Sequence, residues 1–230
     1  MTNMNVMYWA LFIGVAIVSY VVQISFQRKF QKAAAKPLLN GMAGREVAVR
    51  MLEDHGIRDV KVTSTSGQLT DHFNPTDKTV NLSESVYSQT NVAAAAVAAH
   101  ECGHAVQHAK GYFPVKVRSA LVPVVSLTSK LVPFVLLGGM LLINVFPQIM
   151  WVGIILFALS TLFSFVTLPV EFDASRRALA WLSSADIIDA SNEDEARGAL
   201  RAAACTYVVA ALSSLATLIY YLSIFSGRRN

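Results

Sequence analysis

Met7–Phe26 runs for 20 residues without a charge, and nothing else in this chain restricts its fold as much. As an α-helix, a stretch of that length covers ~30 Å of hydrocarbon. In lipid, only a helix or a closed barrel pairs every backbone N–H and C=O. Three further apolar stretches follow: Ser119–Pro147, Ile149–Val170 and Ala203–Phe225. Lys130 interrupts the first of these, so its crossing is placed at Leu131–Phe146 with Lys130 reaching back to the cytoplasmic surface. The chain therefore reads as a mainly α membrane protein with about four transmembrane helices. Its 15% of charged residues against 54% hydrophobic agrees, since soluble domains carry about 25% charged.

Charge placement orients the spans. Arg28, Lys29, Lys32, Lys36 and Arg45 follow the first apolar run, and no small-residue cleavage site closes that run. We expect an uncleaved anchor with its N-terminus outside and its cationic end in the cytoplasm. The uncharged turn Asn144–Gln148 fits the outer face, whereas Arg228 and Arg229 run against the same rule. A net charge of +4, clustered beside a span, marks a lipid bilayer as the partner and not nucleic acid. Cys102 and Cys205 make no disulfide framework and read as free thiols.

Four segments result: an anchor over 1–27, a water-facing domain over 28–118, a transmembrane hairpin over 119–170, and a final segment over 171–230. In the polar domain, Asn40–His55 has helical spacing of Met42, Val47, Val49, Met51 and Leu52, with Gly56 placed to end it. Val60–Thr65 alternates as a strand does. Leu69–Phe73 and Thr79–Leu82 flank the turn-rich Asn74–Lys78 and predict a β-hairpin. Asn91–Lys110 is alanine-rich, with Thr90 or Asn91 as cap and Gly111 as stop. Ser191 is expected to cap the helix that leads into the last span.

The Asn91–Lys110 helix carries His100-Glu101-Cys102-Gly103-His104. Imidazoles four residues apart leave one helical face a turn apart and can share a single Zn²⁺. Glu101 can take the proton of the attacking water. A catalytic zinc needs a third protein ligand. His108 lies two turns beyond His100, about 6 Å past His104 along the axis, too far to be that ligand. Cys102 points off the ligand face. Glu171, directly after the third span, is the better candidate, because two crossings separate it from His104 and return it to the same side.

These motifs, together with Gly56–Val60, Leu69–Phe73, Leu82-Ser83, Val86-Tyr87, Ala98–Gln107 and Pro169–Ala178, resemble the neutral zinc metallopeptidase family of bacterial membrane proteins, the YugP-like group. The resemblance implies a small α+β gluzincin-like domain and a multi-pass protein of the cytoplasmic (inner) membrane. It also implies one catalytic Zn²⁺ on His100, His104 and Glu171, with Glu101 as base on the cytoplasmic side. More distantly the chain is similar to HtpX-type and CAAX-processing membrane proteases, whose third ligand opens a Glu-x-x-x-Asp motif. Here the fifth position is Ser175, and Asp173 lies two residues after the ligand, so either could orient an imidazole.

A peptide or membrane-protein substrate is expected to add as a strand along Thr79, Val80 and Asn81. Arg176, Arg177, Arg201 and Tyr207 are the candidate oxyanion donors. The competing readings are a site-2-type intramembrane protease and a non-catalytic, zinc-stabilised scaffold or chaperone.

Overall fold

The computed structural model describes residues 2–227, with side chains from residue 8 onward; Arg228 and Arg229 lie outside them. The chain runs α1 (Thr2–Ala34), α2 (Gly44–Asp54), β1 (Lys61–Thr65), β2 (His72–Asn74), β3 (Thr79–Ser83), α3 (Glu84–Tyr87) and α4 (Val92–Ala109). Then come α5 (Phe113–Leu141), α6 (Pro147–Ser184) and α7 (Glu193–Gly227). It is mainly helical, with one small sheet. Among the described residues, four helices are long and apolar enough to cross a membrane: Tyr8–Ala34, α5, α6 and α7.

The elements group into two compact units. One holds the chain up to Val21, Lys116–Leu168 and the chain from Tyr207 onward. Its core is Val132, Leu136, Met150 and Ile154. Thr161 and Ser214 share a hydrogen bond of 2.7 Å there, which satisfies two hydroxyls among apolar side chains. The second of these apolar helices differs from expectation. Its helix starts at Phe113 and stops at Leu141, so it takes in Pro123 and Pro133. Lys130 is exposed within that helix and does not mark its start. Membrane helices tolerate such prolines because neighbouring groups re-pair the freed carbonyls.

Val22–Val115 and Pro169–Thr206 form the other unit. Its capping chemistry is local. The Glu46 carboxylate accepts the Ala43 N–H at 2.8 Å to start α2. The Asn91 side chain accepts the Ala94 N–H at 2.9 Å to start α4, as expected. Gly111, at φ +62, ends that helix in the left-handed region where a side chain is penalised. Asp189, not Ser191, prepares α7: its Oδ1 accepts the N–H groups of Ser191 and Asn192 and the Ser191 hydroxyl.

The sheet has the order β1-β3-β2, with β1 parallel and β2 antiparallel to β3. The hairpin forms, but its first strand begins only at His72, because Leu69 sits at φ +57. Asp71 then ties the entry of β2 to the end of β3, accepting the Ser83 N–H at 2.7 Å. The expectation that a peptide pairs with Thr79, Val80 and Asn81 is corrected here. β3 is the central strand, both of its edges are already paired, and Val80 is fully buried in the core. β2 is an edge strand of the sheet.

Candidate metal centre

Thirteen of the 18 residues of α4 are buried, so the histidine helix forms the middle of its unit. Alanines at 93–96, 98, 99 and 105 let other elements close around it. α6 comes closest at Gly103. A Cβ there would stand 2.8 Å from the Ala174 carbonyl oxygen, so only glycine allows this approach. The tight crossing brings the residue that Ala174 follows by one turn of chain, Glu171, to the histidines.

His100 Nε2 lies 3.3 Å and His104 Nε2 3.6 Å from the same oxygen, Glu171 Oε2. One ligand atom from each of the three residues falls within 4.8 Å of the others. The Glu171 side chain is 3% exposed and the imidazoles 15% and 13%, so the cluster is sheltered yet reachable from one side. A buried carboxylate facing two imidazole nitrogens is the N₂O donor set of a catalytic zinc with one position left for water or substrate. The residues fit the ion.

The backs of both rings are held. Gln107 is completely buried, and its Nε2 donates to the Val170 carbonyl at 2.8 Å and to Asp173 Oδ2 at 2.9 Å. Both partners can only accept, so the amide nitrogen must face them and Oε1 must face His104 Nδ1, 3.1 Å away. His104 therefore carries its proton on Nδ1 and offers the Nε2 lone pair to the metal. On His100, Ser175 Oγ stands 3.1 Å from Nδ1 in the equivalent place. Burial works against a protonated His104, but the Glu171 and Glu101 carboxylates outweigh it and raise the ring above its ordinary pKa. Of the two orienting groups left open by the motif, Ser175 touches a ligand directly. Asp173, itself held by Arg176 and by Arg177 Nε, acts through Gln107.

Glu101 points to the sheet. Its Oε2 accepts the Phe73 backbone N–H at 3.1 Å, so the edge strand β2 borders the site. The Phe73 ring packs on His108, with centroids 5.9 Å apart; His108 is exposed and joins no ligand cluster among the described residues. Cys102 faces away, donating to the Ala48 carbonyl, and burial pushes its thiol pKa up. His72 is engaged with Asn81 and the Thr70 carbonyl. Arg176 and Arg177 are committed to Asp173, and Arg177 also lies over the Tyr112 ring. Tyr207 belongs to the other compact unit. Sequence reasoning missed Gln107 and the Phe73 N–H. Gln107 had a signal, since it stands three residues after His104 on the ligand helix, whereas a backbone donor leaves none.

A sequence profile of the family described as "Putative neutral zinc metallopeptidase" matches residues 8–226. The chain is 40% identical over 212 residues to a Bacillus subtilis (strain 168) protein named "Putative membrane protease YugP". That alignment covers 92% of this chain and 93% of the relative. No solved structure matches.

Proposed function

The chain belongs to this neutral zinc metallopeptidase family, and from that premise we propose that it is a multi-pass, zinc-dependent peptidase of the inner membrane. It cleaves peptide bonds of protein substrates close to the cytoplasmic surface. The convergence of His100, His104 and Glu171 beside Glu101 carries this reading. When bound, zinc supplies a Lewis acid that polarises the scissile carbonyl and makes water acidic enough to react near neutral pH.

The chain's own groups do the rest. His100, His104 and Glu171 present two nitrogens and one oxygen in fixed orientation. Glu101 accepts the proton of the attacking water and returns it to the departing amine nitrogen. The substrate lies extended along the edge strand β2, where Phe73 offers backbone groups. Ser175 supports His100 directly, and Asp173, held by Arg176, supports His104 through Gln107.

Two observations weigh against the rival readings. α4 is not among the four described helices suited to crossing a bilayer, which favours cleavage at the membrane surface over cleavage within it. Geometry that holds a carboxylate beside the ligand cluster suits a base, which a structural zinc site does not need. The test compares wild-type and Glu101→Gln protein purified in detergent, measuring zinc by mass spectrometry and β-casein cleavage. The variant should keep its zinc and lose cleavage. Equal cleavage by both proteins, or none by either, rules the proposal out.

A further inference from the structure

The hydrogen bond between Glu101 and Phe73 has consequences beyond positioning a base. Phe73 pairs with Val80 across β2 and β3, yet its N–H donates outward to Glu101 and not into that ladder. In an antiparallel ladder, residues alternate between exchanging both backbone bonds with their partner and turning both groups away. Phe73 is of the second kind, so its N–H and C=O are the groups that β2 offers to an incoming strand. Glu101 already holds the donor of that pair, at 3.1 Å. A peptide adding to the edge needs that same N–H for a carbonyl of its own. One N–H cannot serve two acceptors at full strength.

We propose that Glu101 and the substrate compete for the Phe73 N–H, so that the base is latched to β2 until an extended peptide displaces it. This rests on the peptidase reading and deepens it. The peptide that reaches Phe73 releases the carboxylate that will act on it, and a peptide too short to reach leaves the latch closed. The site then selects extended, unfolded segments over short peptides at the level of turnover, because remote contacts act on kcat. Phe73 is a positioning residue here, acting through its main chain. A permanent brace is the alternative: Glu101 keeps the bond throughout and works through its other oxygen.

A binding cycle on the zinc-loaded full chain separates the two. The probe is a fluorescent β-casein decapeptide whose scissile amide is replaced by a methylene-amine. It is measured on wild type and Glu101→Ala, each with the natural amide at Phe73 or with phenyllactate incorporated there, an ester that lacks the N–H and keeps the ring. With the latch, Glu101→Ala tightens binding about tenfold in the amide background, the scale of a charged hydrogen bond. In the ester background the gain disappears. A gain of equal size in both backgrounds reports only the lost charge and overturns the latch, as does no gain.

Zinc content and melting temperature check that each variant folds. A second measurement needs no variant: shortening a cleavable peptide by the residues facing β2 should lower wild-type kcat about tenfold or more. An unchanged kcat with only a raised KM overturns the proposal. Absence of probe binding in all four proteins refutes the peptidase reading beneath it, whereas binding without coupling refutes the latch alone.

Discussion

Replacing Gln107 with leucine tests whether the second layer sets the metal site. Leucine fills nearly the same volume, so little packing is lost and the effect is polar. Three contacts go: those to His104 Nδ1, the Val170 carbonyl and Asp173. Asp173 keeps Arg176 and Arg177, so its loss is small. The Val170 carbonyl stays paired within α6, so its loss is small too, and the group left without a partner is the Nδ1–H of His104, on a ring 13% exposed. An unpaired buried group costs about 1–3 kcal/mol, with His104 at the lower end because water can reach the ring. The fold should lose about 1–2 kcal/mol on that basis. Without its orienting acceptor, His104 can rotate or change tautomer, and zinc affinity should fall about 10–100-fold. Zinc affinity would be read by chelator competition and stability by thermal melting in detergent. Gln107→Glu makes the cause specific. Its carboxylate would still accept from His104, but it meets Asp173 and a carbonyl where two N–H groups stood, so its melting temperature should fall below that of Gln107→Leu. Adding Asp173→Asn, which supplies a donor, should recover part of that loss. If Gln107→Leu holds zinc as tightly as wild type while folded, the orienting role assigned to Gln107 is wrong.

Gly103→Ala should be severe for so small a change, costing about 1–3 kcal/mol and most bound zinc, since the new methyl meets backbone of Ala174 rather than a movable side chain. In contrast, Gly198→Ala in α7 meets nothing closer than Lys29 Cδ at 3.9 Å and should raise melting stability by about 0.5–1 kcal/mol. Ser175→Ala removes the partner of His100 Nδ1 but leaves a ring that water can reach, so zinc affinity should drop less than in Gln107→Leu. The raised pKa of His104 gives a pH signature. With chelator present, the stabilisation from its proton is complete below the ordinary imidazole value and is lost as pH rises through the raised one, so melting temperature should decline across that window. With zinc present the trend should reverse, because protons compete with the metal for the same ring. Melts from about pH 5.5 to 8.5 with and without chelator read both slopes.

How far the site could be read in advance depended on whether each contact left a mark in residue type. His100 and His104 were legible because an i, i+4 pair on a capped helix can share an ion whatever surrounds it. Glu171 was legible as an acid directly after an apolar stretch, and the structure groups it with the two histidines. Gln107 was harder, since its meaning depends on Val170 and Asp173 lying opposite it, and that juxtaposition is tertiary. The central place of β3 was beyond a local reading. A hairpin signal names the β2 partner but is silent about β1, which joins by a parallel pairing across 18 residues, Lys61 to Thr79. The edge-strand reading went to the wrong strand for that reason. Phe73 entered the site through its backbone, which every residue shares.

The alanines of α4 look like simple helix formers, and their helix propensity alone would explain them. Burial gives them a second role. Small side chains where neighbours come closest, at Cys102 toward α2 and Gly103 toward α6, let both helices reach a helix with thirteen of 18 residues enclosed. The centre of this core and the ligand scaffold are therefore the same element. That places the ligand geometry at the mercy of packing many residues away. A larger side chain at Ala95, fully buried and more than a turn before His100, should shift α4 against its neighbours and loosen zinc in proportion to the stability it removes. A variant there that destabilises the fold yet leaves zinc affinity untouched would show that core and ligand frame are separable after all.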